Sequence, residues 1–249
     1  MPLVLTKSMR CILSGVLVAG YLSLPSMALA QETDELYEDE FWQDFGEEED
    51  PWEPVNRAVF TFNDTLDRWA LKPLAKGYRK VTPDVVEDGV HNVFRNLGEV
   101  SNLANNILQL KLHDAGVDTA RFFFNTSFGL LGFFDVATKM GLQRNSEDFG
   151  QTLGSWGVKS GPYVVLPLLG PSTVRDTVAL YPDSLTSQYR YINDVPVRNS
   201  MFALNIVDTR ASLLIAERLI AGDKYRFVRN AFLQNREFKV RDGNVVDDF

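Results

Sequence analysis

Residues 121–135 read RFFFNTSFGLLGFFD. Between Arg121 and Asp135 lie thirteen uncharged residues, six of them Phe, with glycines at 129 and 132. In a chain that is 23% charged, such an insert needs a reason. As a helix it would reach about 20 Å, too short for a hydrocarbon core of about 30 Å. Two readings compete: a buried core hairpin, or a segment seated in one leaflet of a membrane. Phe at helical spacing is ordinarily core, which favours the first. The second gains weight if the chain is exported and carries no catalytic signature.

The N-terminus has the organisation of a secretory signal. Lys7 and Arg10 form a positive region, Ile12 to Leu24 is apolar, and Pro25 precedes Ala28-Leu29-Ala30. The small side chains of Ala28 and Ala30 predict cleavage after Ala30. An uncleaved anchor is the rival, since residues 11–30 are all uncharged. The only cysteine, Cys11, lies inside this segment, so a processed chain has no disulfide, Cys nucleophile or thiolate metal site. No Cys stands after the apolar region where a lipoprotein would need one.

Residues 31–50, QETDELYEDEFWQDFGEEED, hold eleven acids and no base. The whole chain has 33 acids and 25 bases, and the signal contributes two of the bases, so residues 51–249 keep 22 acids and 23 bases. The acidity is therefore a leader, read as extended and solvating, or as an arm for a basic partner. The remaining domain is near neutral and has no dense basic cluster, which argues against nucleic acid.

The spacing of apolar residues after Asp50 predicts helices. Asp50, Pro51 and Glu53 form a start signal for a helix carrying Val55, Val59, Phe62, Leu66 and Trp69, limited by Lys72-Pro73. Thr82-Pro83 opens another, with Val86, Val90, Val93 and Leu97 on one face. Val100, Leu103, Ile107 and Leu110 make a further short stripe, and His113-Asp114 leads into a helix with Val117, Ala120 and Phe124. Residues 199–220 read as one long helix, and Ala221-Gly222-Asp223 stops it and caps the last. Between Gly129 and Gly170 eight glycines interrupt the period. A second uncharged stretch, SGPYVVLPLLGPSTV at 160–174, contains prolines that oppose both a regular helix and an interior strand. The organisation expected is a signal (1–30), an acidic leader (31–50), a helical domain (51–240) and a loose tail (241–249).

Catalytic patterns are missing. Two histidines, His91 and His113, match no zinc-protease spacing; Ser127 in NTSFG lacks the first glycine of a nucleophile elbow; no phosphate-binding glycine loop occurs. No catalytic residue, metal or cofactor is expected. What the sequence offers instead is apolar surface: Phe122, Phe123, Phe124, Phe128, Leu130, Leu131, Phe133 and Phe134, with Gly129 and Gly132 letting the chain turn.

Several blocks then carry a resemblance. DPWEPVNRAVFTFNDTLDRWALKPLAKGYRKVTP, GVHNVFRNLGEVSNLANNILQ, ARFFFNTSFGLLGFFDVA, EDFGQTLGSWGVKSGPYVVLPLLGPSTVRD and ALYPDSL, collinear from about Asp50 to about Phe238, resemble the MlaA (VacJ) family. The resemblance implies a mainly α fold: one compact, ring-like helical domain with a Phe/Gly-rich helical hairpin and little or no β structure. It also implies a non-enzymatic phospholipid channel in the inner leaflet of a Gram-negative outer membrane. Such a channel removes mislocalised phospholipids from the outer leaflet and passes them to the periplasmic carrier MlaC, in association with porin trimers. On that basis the Phe residues face acyl tails. Asn63 supports the hairpin region, and Tyr163, Val164, Val165 and Leu166 line or buttress the ring. The family is commonly lipidated on a Cys after the signal, where this sequence has Ala28-Leu29-Ala30-Gln31. The alternative is a soluble periplasmic interaction protein with internal apolar segments and an acidic binding arm. A third reading, a periplasmic hydrolase with an unrecognised site, would require turnover that depends on a residue such as Ser127.

Overall fold

Pro73 is where a helix read from the sequence should stop, and in the computed structural model it does not stop. Residues 50–244 are described; the predicted signal, residues 31–49 of the acidic leader and the last five residues lie outside them. Helix α1 spans Glu53–Leu66, a π-helical turn follows at Asp67–Leu71, and α2 runs Lys72–Val81 without a break in the chain direction. Proline in a regular helix removes one hydrogen bond and collides with the carbonyl four residues back. The wider turn absorbs this: the Lys72 amide donates to the Asp67 carbonyl, five residues back. At the other end, α1 begins at Glu53, with Pro54 in its first turn, rather than at Pro51. Asp50 still organises the start, its carboxylate accepting from the Trp52 amide at 2.9 Å.

The two apolar stripes after Thr82 belong to a single helix, α3, Asp84–Leu108. At 1.5 Å per residue it is about 37 Å long. Leu110, with φ of 62°, turns the chain into α4, Leu112–Phe128, which packs back along α3. The helical period was legible, but the face that is buried was not. The residues of α3 turned inward are Gly89, Phe94, Asn96, Glu99, Asn102, Asn105 and Asn106, while Val86, Val100 and Ile107 are exposed. On α4 the inward row is Ala115, Asp118, Arg121 and Asn125.

This inversion extends through the described residues. Seventeen buried side chains are polar or charged, against nine apolar ones, five of which are Ala. Ordinary soluble interiors show the opposite balance. The exception is a small apolar core where α1 meets the following hairpin and the last helix: Tyr163, Val165 and Tyr225, with Val59, Phe60, Phe232 and Leu233 against them.

After α4 come two short helices, α5 (Val136–Lys139) and α6 (Phe149–Ser155), and then an antiparallel hairpin, β1 (Tyr163–Leu166) with β2 (Gly170–Thr173). Tyr163 pairs with Thr173 and Leu166 with Gly170. The prolines fit this small sheet because two strands have only edges. Thr173 caps α7 (Val174–Thr186) by accepting from the Asp176 amide. Helix α8 covers Val195–Ser212; the single helix read over 199–220 is corrected to α8 plus a 3-10 turn, Ala216–Leu219. The break holds Glu217 against α2, where Lys72 Nζ donates to it at 2.7 Å, while Arg210 of α8 donates to its other oxygen at 2.7 Å. Asp223 caps α9, Lys224–Val240.

Candidate functional site

The Phe-rich insert forms the last turn of α4 and a tight, non-helical reversal into α5. Leu130 and Leu131 both lie in the left-handed region, at φ 55° and 58°, and Gly132 at 96°. A non-glycine residue there costs on the order of 1–2 kcal/mol. The turn also needs its glycines. A Cβ on Gly129 would sit 2.2 Å from the Phe134 carbonyl oxygen, and one on Gly132 would sit 2.6 Å from the Asn96 Cβ. Despite the irregular path most of its amides are bonded within the protein: Gly132 donates to Asn125 O (2.8 Å), Leu131 to Thr126 O (3.1 Å) and Phe134 to Gly129 O (2.8 Å). Backbone at membrane depth must meet that demand.

The side chains point out. Leu130 and Leu131 are 71% and 70% exposed, and Phe122, Phe123, Phe128 and Phe134 are exposed as well. Phe124 and Phe133 are half-buried, and the Phe133 ring covers Gly89. The rings stack edge-on upon one another: Phe123 with Phe124 at 5.5 Å, and Phe133 with Phe134 at 5.0 Å. The insert is therefore a surface, and the core-hairpin reading is set aside. Its form is one long helical arm and one single-turn arm, not two matched helices.

Beneath this tip lies a polar clamp. Arg121 is 1% exposed. Its guanidinium donates to Glu99 (3.0 Å), Asp135 (3.1 Å), Thr138 Oγ1 (3.0 Å) and the Leu142 carbonyl (2.5 Å). Asn125 donates to Asp135 and accepts from the Ala137 amide, so the α4–α5 reversal is tied at both ends. Burial opposes ionisation of Asp135, but hydrogen bonds from Thr138, Arg121 and Asn125 prevail and hold its carboxyl at about 2. Asp118 goes the other way. Burial pushes it up to about 6; the Asn106 amide, 2.7 Å away, resists, and the Glu99 charge adds to the rise. Among the described residues several acceptors along the α3–α4 seam lack a donor, including Asn96 Oδ1, Asn106 Oδ1 and Asp118 Oδ1.

A second tip is built by β1 and β2, and α1 holds it with two asparagines seven residues apart. Asn56 donates to Tyr163 O (3.0 Å) and accepts from Val165 N (2.9 Å). Asn63 donates to Leu166 O (2.9 Å) and accepts from Leu168 N (2.8 Å). Each amide pairs with the strand edge as another strand would. Tyr163 and Val165 are buried in the apolar core, Val164 and Leu166 are half-buried, and Leu168 (φ 67°) and Leu169 are exposed at the turn.

Among the described residues no helix is long and apolar enough to cross a membrane, and no cluster of His, Cys, Asp and Glu could hold a metal ion. His91 lies with its Nδ1 2.8 Å from Asp208.

The family model for MlaA lipoprotein matches residues 48–239. The chain belongs to the MlaA lipoprotein family. Among MlaA relatives, the Haemophilus influenzae "Intermembrane phospholipid transport system lipoprotein MlaA" is 34% identical over 208 residues, 81% of this chain and 83% of its own. The Escherichia coli K12 protein of the same name is 35% identical over 202 residues, 79% of this chain and 80% of its own. A solved structure described as "Structural basis for maintenance of bacterial outer membrane lipid asymmetry" superposes with a TM-score of 0.68 at 33% identity, covering 77% of this chain and 99% of that one. The mainly helical MlaA fold is thus established for this chain.

Within that MlaA fold, Asn63 serves the β1–β2 turn directly, and the Phe-rich reversal is held by Asn92, which donates to the Phe133 carbonyl at 3.3 Å, and by Asn125 and Arg121 through Asp135. Sequence reading missed Asn56, Arg121, Asp118, Leu168 and Leu169 as members of the site. The signal available for Asn56 was the repeat of Asn at 56 and 63, two helical turns apart beside the apolar positions of α1. Arg121 gave no such signal, because one charge at the edge of a Phe run looks like its solvated boundary.

Proposed function

We propose that this chain is a non-enzymatic phospholipid transfer channel seated in the inner leaflet of the outer membrane. It takes mislocalised phospholipid from the outer leaflet and passes it to a periplasmic carrier of the MlaC kind, beside porin trimers. One observation carries the reading: large apolar side chains are on the outside and at two turn tips, while hydrogen-bonded polar groups fill the interior. In water that arrangement leaves apolar area hydrated at a cost of roughly 25 cal/mol per Å². In a lipid leaflet the same side chains meet acyl tails, and the internal polar network carries the fold.

The names of the MlaA relatives support the phospholipid class of cargo. The soluble-arm alternative requires its apolar segments to be internal, and the exposure of Phe128, Leu130, Leu131, Leu168 and Leu169 weighs against it.

The test substitutes exposed positions only. Phe128→Asp with Leu131→Asp is expected to keep the helical content and thermal unfolding of the parent. It is also expected to lose co-purifying phospholipid in native mass spectrometry and association with the outer-membrane fraction. Retention of both by the folded variant would refute the proposal.

A further inference from the structure

One short basic row in a near-neutral domain gains a partner segment on folding. Lys72, Lys76, Arg79 and Lys80 lie at spacings of four, three and one along α2, which places them on one side of that helix. An adjoining face of α2 is turned inward through Ala75. Facing the cationic side is the segment after α8, with Leu214, Ile215, Glu217 and Arg218. Together they line an open cleft of about 620 Å³, within the range of small-ligand sites.

Much of the local charge is already matched. Arg210 bonds Asp67 and Glu217, and Lys72 bonds Glu217. Burial opposes ionisation of Glu217, but those two cations hold its carboxyl at about 2, so it stays charged and occupied. Arg79 is 3.5 Å from Glu87. Three cations remain, Lys76, Lys80 and Arg218, with no carboxylate within 4 Å among the described residues. Arg79 and Lys80 complement the C-terminal end of the α2 dipole; Lys76, a turn earlier, and Arg218, on another element, have no such reason to be there. The cleft is also not purely polar. Leu214 and Ile215 are among its lining residues, and Leu213, next to them in sequence, is exposed. A free anion has no use for apolar walls, whereas a lipid headgroup brings a phosphate with glycerol and acyl carbons attached.

We infer that this cleft binds the headgroup phosphate of an anionic phospholipid, with Lys76, Lys80 and Arg218 supplying the charge and the 213–215 turn meeting the glycerol end. The inference rests on the membrane residence proposed above, and the two can fail separately.

The experiment is vesicle flotation of the purified chain on phosphatidylglycerol–phosphatidylcholine mixtures and on phosphatidylcholine alone. A cation near an anionic surface contributes about a fivefold gain in binding, so three together contribute on the order of 100-fold. The Lys76→Gln, Lys80→Gln, Arg218→Gln variant is expected to lose that factor on the anionic vesicles and to match the parent on the neutral ones. The Lys76→Arg, Lys80→Arg variant keeps the charge and is expected to bind as the parent does. A neutralised variant with unchanged binding to anionic vesicles overturns the inference. So does tight binding of inorganic phosphate alone, titrated to about 10 mM, because the cleft would then be a free-anion site. Failure of the parent on neutral vesicles would count against the apolar tips instead, since the cleft contributes nothing there.

Discussion

Replacing Arg121 by Met tests whether the polar interior, and not an apolar core, holds the α3–α4–α5 unit together. The guanidinium is almost fully buried and reaches four acceptors on three segments: Glu99 on α3, Asp135 and Thr138 at the start of α5, and Leu142 beyond it. Met fills a similar length but removes the cation bonded to Glu99, itself 1% exposed, and leaves that carboxylate only the neutral Asn102 amide, at 2.8 Å, as a hydrogen-bond donor. Removing one side of a buried ion pair costs about 3–5 kcal/mol. Arg144, whose Nε lies 3.3 Å from the same Glu99 oxygen, retains part of the compensation. The expected loss is therefore at the lower end, about 3 kcal/mol. At roughly 2–4 °C per kcal/mol for a domain of this size, the unfolding midpoint should fall by about 6–12 °C. Circular dichroism melting in mild detergent measures it. A second variant, Arg121→Met with Glu99→Gln, removes the stranded charge and should recover part of the loss, because a neutral pair is cheaper to bury than one bare carboxylate. A single variant that melts within 1–2 °C of the parent, or a double variant that melts below the single one, would refute the reasoning.

Asp118→Asn should change the pH dependence of stability. The folded carboxyl is raised, so its stabilising contribution is complete below its unfolded value near 4 and is lost as pH rises through about 6. The Asn variant should therefore be more stable than the parent above pH 7, by about 3 kcal/mol at most, with the gap closing toward pH 4; a constant gap across that range would contradict the assignment. Asn56→Ala strands a buried carbonyl and amide of β1 and should cost about 2–3 kcal/mol, while half-buried Asn63→Ala should cost nearer 1 kcal/mol. Hydrogen exchange should then quicken at Val165 in the first variant and at Leu168 in the second; the reverse pattern would disprove the pairing. Gly132→Ala meets both a left-handed backbone and Asn96, whereas Gly141→Ala, at φ 86° with open space around it, meets only the backbone strain. The first should lower the melting midpoint clearly more than the second, and equal losses would show that the contact with Asn96 is unimportant.

Much of the helical skeleton was legible because capping residues and the 3.6-residue period act locally. Asp223 before α9 and the apolar period along α1 needed no tertiary information. Pro73 misled because a π-turn can accommodate it at a cost that only the surrounding packing can meet. The break after Ser212 was invisible for a similar reason: Glu217 is drawn toward Lys72, a residue 145 positions away in sequence. The Phe-rich insert was recognisable as unusual from composition alone. Whether it faced inward or outward was not, since a periodic apolar row specifies a face but not the medium against it.

The sequence by itself determined a mainly helical chain, the place where it reverses through Gly129–Gly132, and membership in a family whose blocks run collinearly from about Asp50 to Phe238. Those are properties of neighbours along the chain. Only the tertiary structure decided that the interior is built from Asn, Glu, Asp and Arg, and that two asparagines of α1 stand in for a third strand. It alone gathered Lys76, Lys80 and Arg218, which have no carboxylate partner among the described residues, into one cleft. Burial and charge balance depend on which distant segments meet, and a side chain's solvent is set by that meeting rather than by its own hydropathy.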